Sequence, residues 1–252
     1  MLNENDDIMK EIKRLDVELY KIQCRNWVPS LGNGSGAAGK TLEELLGKNE
    51  DRYVLPDYNG IELKTRSDYS AYPVHLFSCA FDNKPLEMQR LLKFAGYPDK
   101  KYPEFRVFNV RVNAVSDKKV GKFTHRIYVN YEKEEVELRV KYSKSGDFYT
   151  KMSWSFMELK SRLLHKMRYV AIVNVRKERV KEQDYFRFYN HSFYKLKGFD
   201  EFLSLIDSGD ISVSFKLTYY HSGERFGEYQ DKGTGFEVSY ESILKLFDKI
   251  EL

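Results

Sequence analysis

Apolar residues at Ile8, Ile12, Leu15, Leu19 and Ile22 recur at helical spacing, so residues 6–23 are predicted to form an amphipathic helix. The glycine-rich stretch PSLGNGSGAAGK, residues 29–40, breaks that pattern. A shorter stripe of Leu42, Leu45 and Leu46 then predicts a second helix in TLEELLGKN, with Thr41 near its N-terminus and a stop at Gly47. In the next segment, PDYNGIELKTR (56–66), the period changes to two. Ile61 and Leu63 are expected to point into a core, while Glu62 and Lys64 share the other face of a strand. FRVFNVRVNAV, HRIYVNYE and EVELRVKY alternate as antiparallel strands across residues 105–142, the last two joined at YEKEE, and read as one β-meander. Phe156, Leu159, Leu163 and Met167 form a core stripe, with Lys160, Arg162, Lys166 and Arg168 mainly on the polar, solvated side. The following YVAIVNV is short and almost continuously apolar, as a buried strand requires. YYHSGERFGEYQDKGTGFEV is a polar, glycine-rich link between two strand-like runs.

The composition narrows this picture without deciding it. At 252 residues the chain fits one large domain or two lobes sharing a core. Forty-two Lys and Arg against 38 Asp and Glu give a net charge of +4, too mild to establish a polyanionic partner. Cys24 and Cys79 cannot build a disulfide framework or a zinc site and are expected as small buried hydrophobes. The acidic start MLNENDDIMKEIKRL is not a signal peptide, and no run approaches the roughly 18 apolar residues that span a bilayer. A soluble, cytoplasmic protein with no membrane partner is expected.

Two segments carry candidate chemistry. Gly34 to Gly39-Lys40-Thr41 satisfies the spacing of a phosphate-binding loop, but the preceding RNWVPSL is a proline-broken stretch with weak strand character, and no second acidic, magnesium-binding strand is evident. A flexible entry to the next helix is the plainer reading. The second segment has Asp57, Glu62 and Lys64 in D-x4-E-x-K order, shortly after Glu43 and Glu44. Gly60 lets the chain turn so that the Asp57 and Glu62 carboxylates meet, and such a pair repels unless a cation lies between them. Hard oxygen donors of this kind suit magnesium, and Lys64 could assist a water or offset charge on a phosphate. The alternative is an exposed Glu62–Lys64 pair on an edge strand.

The surroundings favour the chemical reading. SGAAGKTLEELLGKNEDRYVLPDYNGIELKTR resembles the opening of the MvaI/BcnI-type restriction endonucleases, relatives of the mismatch-repair nickase MutH in the PD-(D/E)XK superfamily. The likeness lies in the glycine-bearing loop, the TLEELL helix, the GKNED link, the PDY turn and the GIELKT strand. SWSFMELKSRLLHKMRYVAIVNV resembles that family's tryptophan-led helix and core strand, and the YHSG and DKGTGF elements resemble its C-terminal recognition segment. The resemblance implies an α/β fold: an α+β mixed-sheet PD-(D/E)XK core with a second, β-rich recognition lobe forming a cleft. The catalytic lobe is expected over about 1–82 plus 153–180 and the recognition lobe over about 100–150 plus 181–252. It also implies that Asp57 and Glu62 bind Mg2+, that Lys64 assists the nucleophilic water, and that Glu43, rather than Glu44, supports the metal or its water.

Base contacts are expected from His221, Arg225, Gln230, Asp231 and Lys232, whose groups can read base edges. Gln230-Asp231-Lys232-Gly233 stands where better-known members carry His-Asp-His-Gly, which changes the donors and acceptors offered. His75, in YPVHLFSCAF, is a further DNA candidate, although a histidine in an apolar run is more often a satisfied core residue. Three functions compete: a magnesium-dependent type II restriction endonuclease acting on double-stranded DNA, a MutH-like nickase, and a non-catalytic DNA-binding module. The intact Glu43/Asp57/Glu62/Lys64 set argues against the last, and the C-terminal likeness favours the first. One D…E-x-K site per chain suggests a monomer that nicks one strand at a time. A restriction role implies a cognate DNA methyltransferase as a functional partner, without stable binding.

Overall fold

The computed structural model describes residues 4–34, 36–47, 56–68, 72–82 and 86–252. In chain order, α1 (Glu4–Gln23), β1 (Trp27–Pro29), α2 (Ala37–Leu45) and β2 (Glu62–Ser67) come first. They are followed by β3 (Val74–Ser78), α3 (Leu86–Ala95), β4 (Tyr97–Pro98), β5 (Arg106–Val112), β6 (Lys118–Val120) and β7 (Phe123–Asn130). Next are β8 (Glu135–Tyr142), β9 (Phe148–Ser155), α4 (Phe156–Met167), β10 (Tyr169–Val180), β11 (Gln183–Leu196) and α5 (Phe199–Asp207). β12 (Ile211–Tyr219), β13 (Tyr229–Asp231), β14 (Gly235–Val238), α6 (Ile243–Leu246) and β15 (Phe247–Ile250) complete the chain. This is a mixed α/β fold. Among the described residues no helix is long and apolar enough to cross a membrane.

Two compact units result. The first holds residues 1–74, 163–197 and 244–252, and the second holds 75–162 and 198–243. The first is built on the sheet β1-β11-β10-β2, with β15 also on β11. β2 runs parallel to β10, pairing Glu62 with Val170 and Lys64 with Ile172. A parallel neighbour needs a long crossover, whereas β10 and β11 are antiparallel and need only a turn. The predicted apolar stripe of α1 is buried: Ile12, Leu15, Leu19 and Ile22 join Leu42, Ile61, Leu63, Ala171, Val173 and Phe188 in one core. Losing a single leucine from such a core typically costs about 2–5 kcal/mol.

The second unit contains two sheets, β3-β14-β12-β5-β4 with β13 also on β12, and β6-β7-β8-β9. Its core is aromatic. Trp154 is fully buried, lies 4.4 Å between ring centroids from Phe81, and donates its indole N–H to the Cys79 carbonyl at 3.1 Å.

Several sequence expectations are revised here. The three alternating runs at 105–142 do not form one meander, because β5 pairs antiparallel with β12 in a different sheet from β7 and β8. Alternation fixes which side chains share a face, but not which distant strand completes the ladder. The boundary of the units also differs from the lobes expected at 1–82 plus 153–180 and 100–150 plus 181–252. β3 joins the sheet of the second unit, and β11 and β15 join that of the first. Helix α2 starts at Ala37, inside the glycine-rich stretch, so Gly39 and Lys40 are helical. Thr41 consequently lies within the helix, donating to the Ala37 carbonyl at 2.7 Å and accepting from the Leu31 N–H at 3.0 Å. Cys79 is buried as expected, but Cys24, just after α1, is exposed. Most of the GKNED link lies outside the described residues.

Candidate active site and nucleic-acid interface

The segment before β2 explains how a carboxylate reaches the charged strand. Tyr58 and Ile61 exchange backbone hydrogen bonds of 2.8 and 2.7 Å around Asn59-Gly60. Both turn residues have positive φ, 42° and 91°, as the tight Asn-Gly turn demands. The turn folds Asp57 back alongside β2, where its Oδ2 accepts the Leu63 N–H at 3.0 Å.

On β2, Ile61 and Leu63 enter the apolar core as predicted, and Glu62 is also buried, at 2 % exposure. Its Oε1 accepts a 2.6 Å hydrogen bond from Lys64 Nζ, and Lys166 Nζ stands 3.5 Å away. Among the described residues its Oε2 has no hydrogen-bond partner although it is buried. Burial raises the Glu62 carboxyl above its ordinary pKa; Lys64 pulls it down, Asp57 pushes it up and Lys166 pulls it down, with a net rise. Two lysines therefore do not satisfy this carboxyl group. Glu43 is half-buried and Glu44 is exposed. A Cβ built on Gly39 would lie 4.0 Å from Glu43 Oε1 and 3.9 Å from Thr65 Oγ1, so this side of α2 faces β2.

Lys166 is the residue that sequence reasoning missed. The helical pattern places it on the polar, solvated side, yet it comes from α4 to the Glu62 carboxylate. The available signal was its place beside Met167, the last buried position of the α4 stripe, where one flank must border the core.

The donor set fits a hard divalent cation. Glu62 offers an unpartnered buried oxygen, Asp57 is close enough to raise its pKa, and both supply oxygen donors of the kind magnesium selects. Among the described residues no three His, Cys, Asp or Glu side chains form a ready metal cluster. Asp57 and Glu62 would hold the ion, with water and phosphate oxygens completing its shell.

The expected base readers all belong to the second unit, where they occupy different settings. Gln230 and Asp231 are on β13, opposite Thr218 and Leu217 of β12. Asp231 Oδ1 accepts the Gly233 and Thr234 N–H groups at 3.0 and 2.7 Å, which shapes the following turn and leaves Lys232 exposed. Arg225 bonds Glu228 at 2.7 Å and the Tyr220 hydroxyl at 2.8 Å. The His221 ring lies against Tyr102 and Phe105, with centroids 4.6 and 5.5 Å apart. His75, on β3, is half-buried; its Nε2 is 3.1 Å from Ser78 Oγ and its Nδ1 is 3.7 Å from Glu237.

A search of curated protein sequences finds no match. One solved structure, described as restriction endonuclease MvaI in complex with a cognate DNA substrate, superposes with a TM-score of 0.86 at 23 % identity, covering 99 % of both chains. Another, restriction endonuclease MvaI in the absence of DNA, gives a TM-score of 0.61 at 24 % identity, covering 99 % of this chain and 98 % of that one. The family model for MvaI/BcnI restriction endonucleases matches residues 17–247, which takes in every candidate site residue above. With that match over nearly its whole length, the chain belongs to the MvaI/BcnI restriction endonuclease family.

Proposed function

We propose that the protein is a type II restriction endonuclease that hydrolyses phosphodiester bonds of duplex DNA at a short sequence, using Mg2+ held by Asp57 and Glu62. The observation that carries this reading is the buried, incompletely satisfied Glu62 carboxylate beside Asp57, with Lys64 and Lys166 at its other oxygen. A PD-(D/E)XK active site fits that constellation. When bound, magnesium supplies Lewis-acid polarisation of phosphate oxygens and favours deprotonation of water.

The protein residues have separate tasks. Asp57 is oriented by the Leu63 N–H, which leaves its carboxylate fixed next to β2. Lys64 orients the nucleophilic water, and Lys166, 3.5 Å from Glu62 Oε1, supports that metal-ligating carboxylate. Glu43 supports this group from α2. Hydrolysis forms one P–O bond from water and breaks one bridging P–O bond, so each pass through the site cuts one strand. A monomer then nicks one strand, rebinds in the opposite orientation and cuts the other. His75, His221, Arg225, Gln230, Asp231 and Lys232 form the DNA-facing set, and a cognate methyltransferase protects host DNA in the cytoplasm.

A magnesium time course on supercoiled plasmid tests this reading. Open-circular DNA should rise before linear DNA at enzyme concentrations below that of plasmid. Accumulation of open-circular product alone points to a MutH-like nickase. Direct linearisation with a rate rising as the square of enzyme concentration refutes the monomer.

A further inference from the structure

Glu237 on β14 is 5 % exposed and does not belong to the hydrolytic site. β3, β14, β12 and β5 are neighbours in one sheet, and each contributes one side chain to this carboxylate cluster. Arg111 of β5 donates Nε and Nη2 to Glu237 Oε2 at 3.0 and 2.7 Å. Lys216 of β12 places Nζ 3.3 Å from Oε1, and His75 of β3 places Nδ1 3.7 Å from it. The carboxylate is buried, but its partners reach the surface: the Arg111 side chain is 44 % exposed and that of Lys216 is 34 % exposed.

This arrangement is poorly explained by fold stability alone. Apolar residues of similar volume often stabilise a protein at least as well as a buried ion cluster. What the cluster does provide is rigidity. Both hydrogen bonds use the Nε–Nη2 edge of Arg111 and fix the plane of the guanidinium, and by covalent geometry Nη1 lies on the opposite side of that fork. Ser214 pairs with Arg111, Gly235 with Ser214 and Ser212 with Glu237, and all three are buried, so Arg111 and Lys216 carry this cluster toward solvent.

We propose that Arg111 and Lys216 are sequence-reading residues that select guanine, and that Glu237 is the positioning residue that holds them. The assignment rests on the DNA-cleavage reading above and adds specificity determinants to it. Guanine presents two acceptors, O6 and N7, in the major groove, which match a fixed guanidinium or an ammonium donor. A phosphate contact carries no sequence information and needs no such fixed plane. β5 and β12 thereby contribute to target choice in addition to the 220–233 segment.

The test is selection from a pool of randomised duplexes by the full-length wild type, Arg111→Lys, Lys216→Met and Glu237→Gln, with melting temperatures measured alongside. Arg111→Lys keeps the charge but loses the fork. It should relax preference for guanine at a defined base pair by about 5- to 150-fold, the range of one bidentate base contact, with non-specific affinity retained. Lys216→Met should relax a guanine preference too, and Glu237→Gln should blur the positions read by both. Equal weakening on every sequence would identify phosphate contacts and overturn the assignment. An unchanged preference in folded variants, with a selective wild type, overturns it while leaving the endonuclease reading intact. A wild type that neither binds nor cuts any duplex overturns both.

Discussion

Glu62 and Glu237 are both buried carboxylates surrounded by cations, one in each unit, yet their chemistry diverges. At Glu62 burial dominates, and even with Lys64 and Lys166 beside it the carboxyl lies above its ordinary pKa. At Glu237 burial also raises the carboxyl, but the nearby His75, the hydrogen bonds from Arg111 and the charges of Arg111 and Lys216 outweigh it and hold it at about 2. The difference lies in how completely each group is satisfied. Glu62 keeps a buried oxygen with no partner among the described residues and has the Asp57 carboxylate nearby. Glu237 receives two bonds on Oε2, with Lys216 and His75 at Oε1. An unsatisfied buried carboxylate suits a cation from outside; a satisfied one suits holding its neighbours in place. Proximity of opposite charge alone therefore does not distinguish a carboxylate open to a cation from one already satisfied.

The contrast can be broken from either side. The largest effect is expected at the unsatisfied site. Asp57→Asn and Lys64→Ala should each reduce plasmid cleavage by about 1,000-fold or more, the scale of losing a principal electrostatic stabiliser. Mobility-shift assays should show sequence-specific DNA binding retained. Lys166→Met should cost less, about 10- to 100-fold in cleavage rate, as for groups that support metal ligands. Wild-type turnover by that variant would return Lys166 to the solvated helix face.

Changes in the second unit should alter choice rather than chemistry. Substituting Lys232 or Gln230 should change discrimination between sites by about 1–3 kcal/mol for each lost bidentate base contact. Sequencing the cut ends detects this, and unaltered sites would remove residues 230–232 from the reading surface. The smallest effect concerns stability. Because the folded Glu237 pKa is lowered, its contribution is complete above the unfolded value of about 4.3 and is lost as pH falls toward about 2. Glu237→Gln should accordingly destabilise the protein at pH 7 by about 1–3 kcal/mol, with the difference shrinking at pH 3. Urea unfolding at the two pH values measures it. An equal difference at both would show that the carboxylate charge is not what stabilises the cluster.

The same contrast explains what the sequence revealed. Asp57, Glu62 and Lys64 lie within eight positions, and the Asn59-Gly60 turn that joins them is a local signal, so their meeting on and beside one strand is legible. The core faces of α1 and α4 were legible for the same reason, since helical periodicity places side chains without knowledge of partners. Lys166 comes from 102 residues beyond Lys64 through the parallel pairing of β2 with β10, which no local pattern specifies. Arg111 and Glu237 are separated by 126 positions and meet only because β5 and β14 flank β12. The assignment of β5 to a meander concealed that meeting. The apolar run around His75 is compatible with either a core or a functional residue; the ring lies beside both Ser78 and Glu237 from a half-buried position.

If Asp57 and Glu62 hold the divalent cation for DNA hydrolysis, plasmid cleavage by metal-stripped protein should return as magnesium is added back, a measurement made with Glu62→Gln and Glu237→Gln in parallel. Magnesium should restore cutting by the wild type, while Glu62→Gln should bind DNA without cutting it. Glu237→Gln should still cut, at an altered set of sites. Cutting by the wild type without any divalent ion, or by Glu62→Gln at the wild-type rate in magnesium, would contradict that placement of the cation.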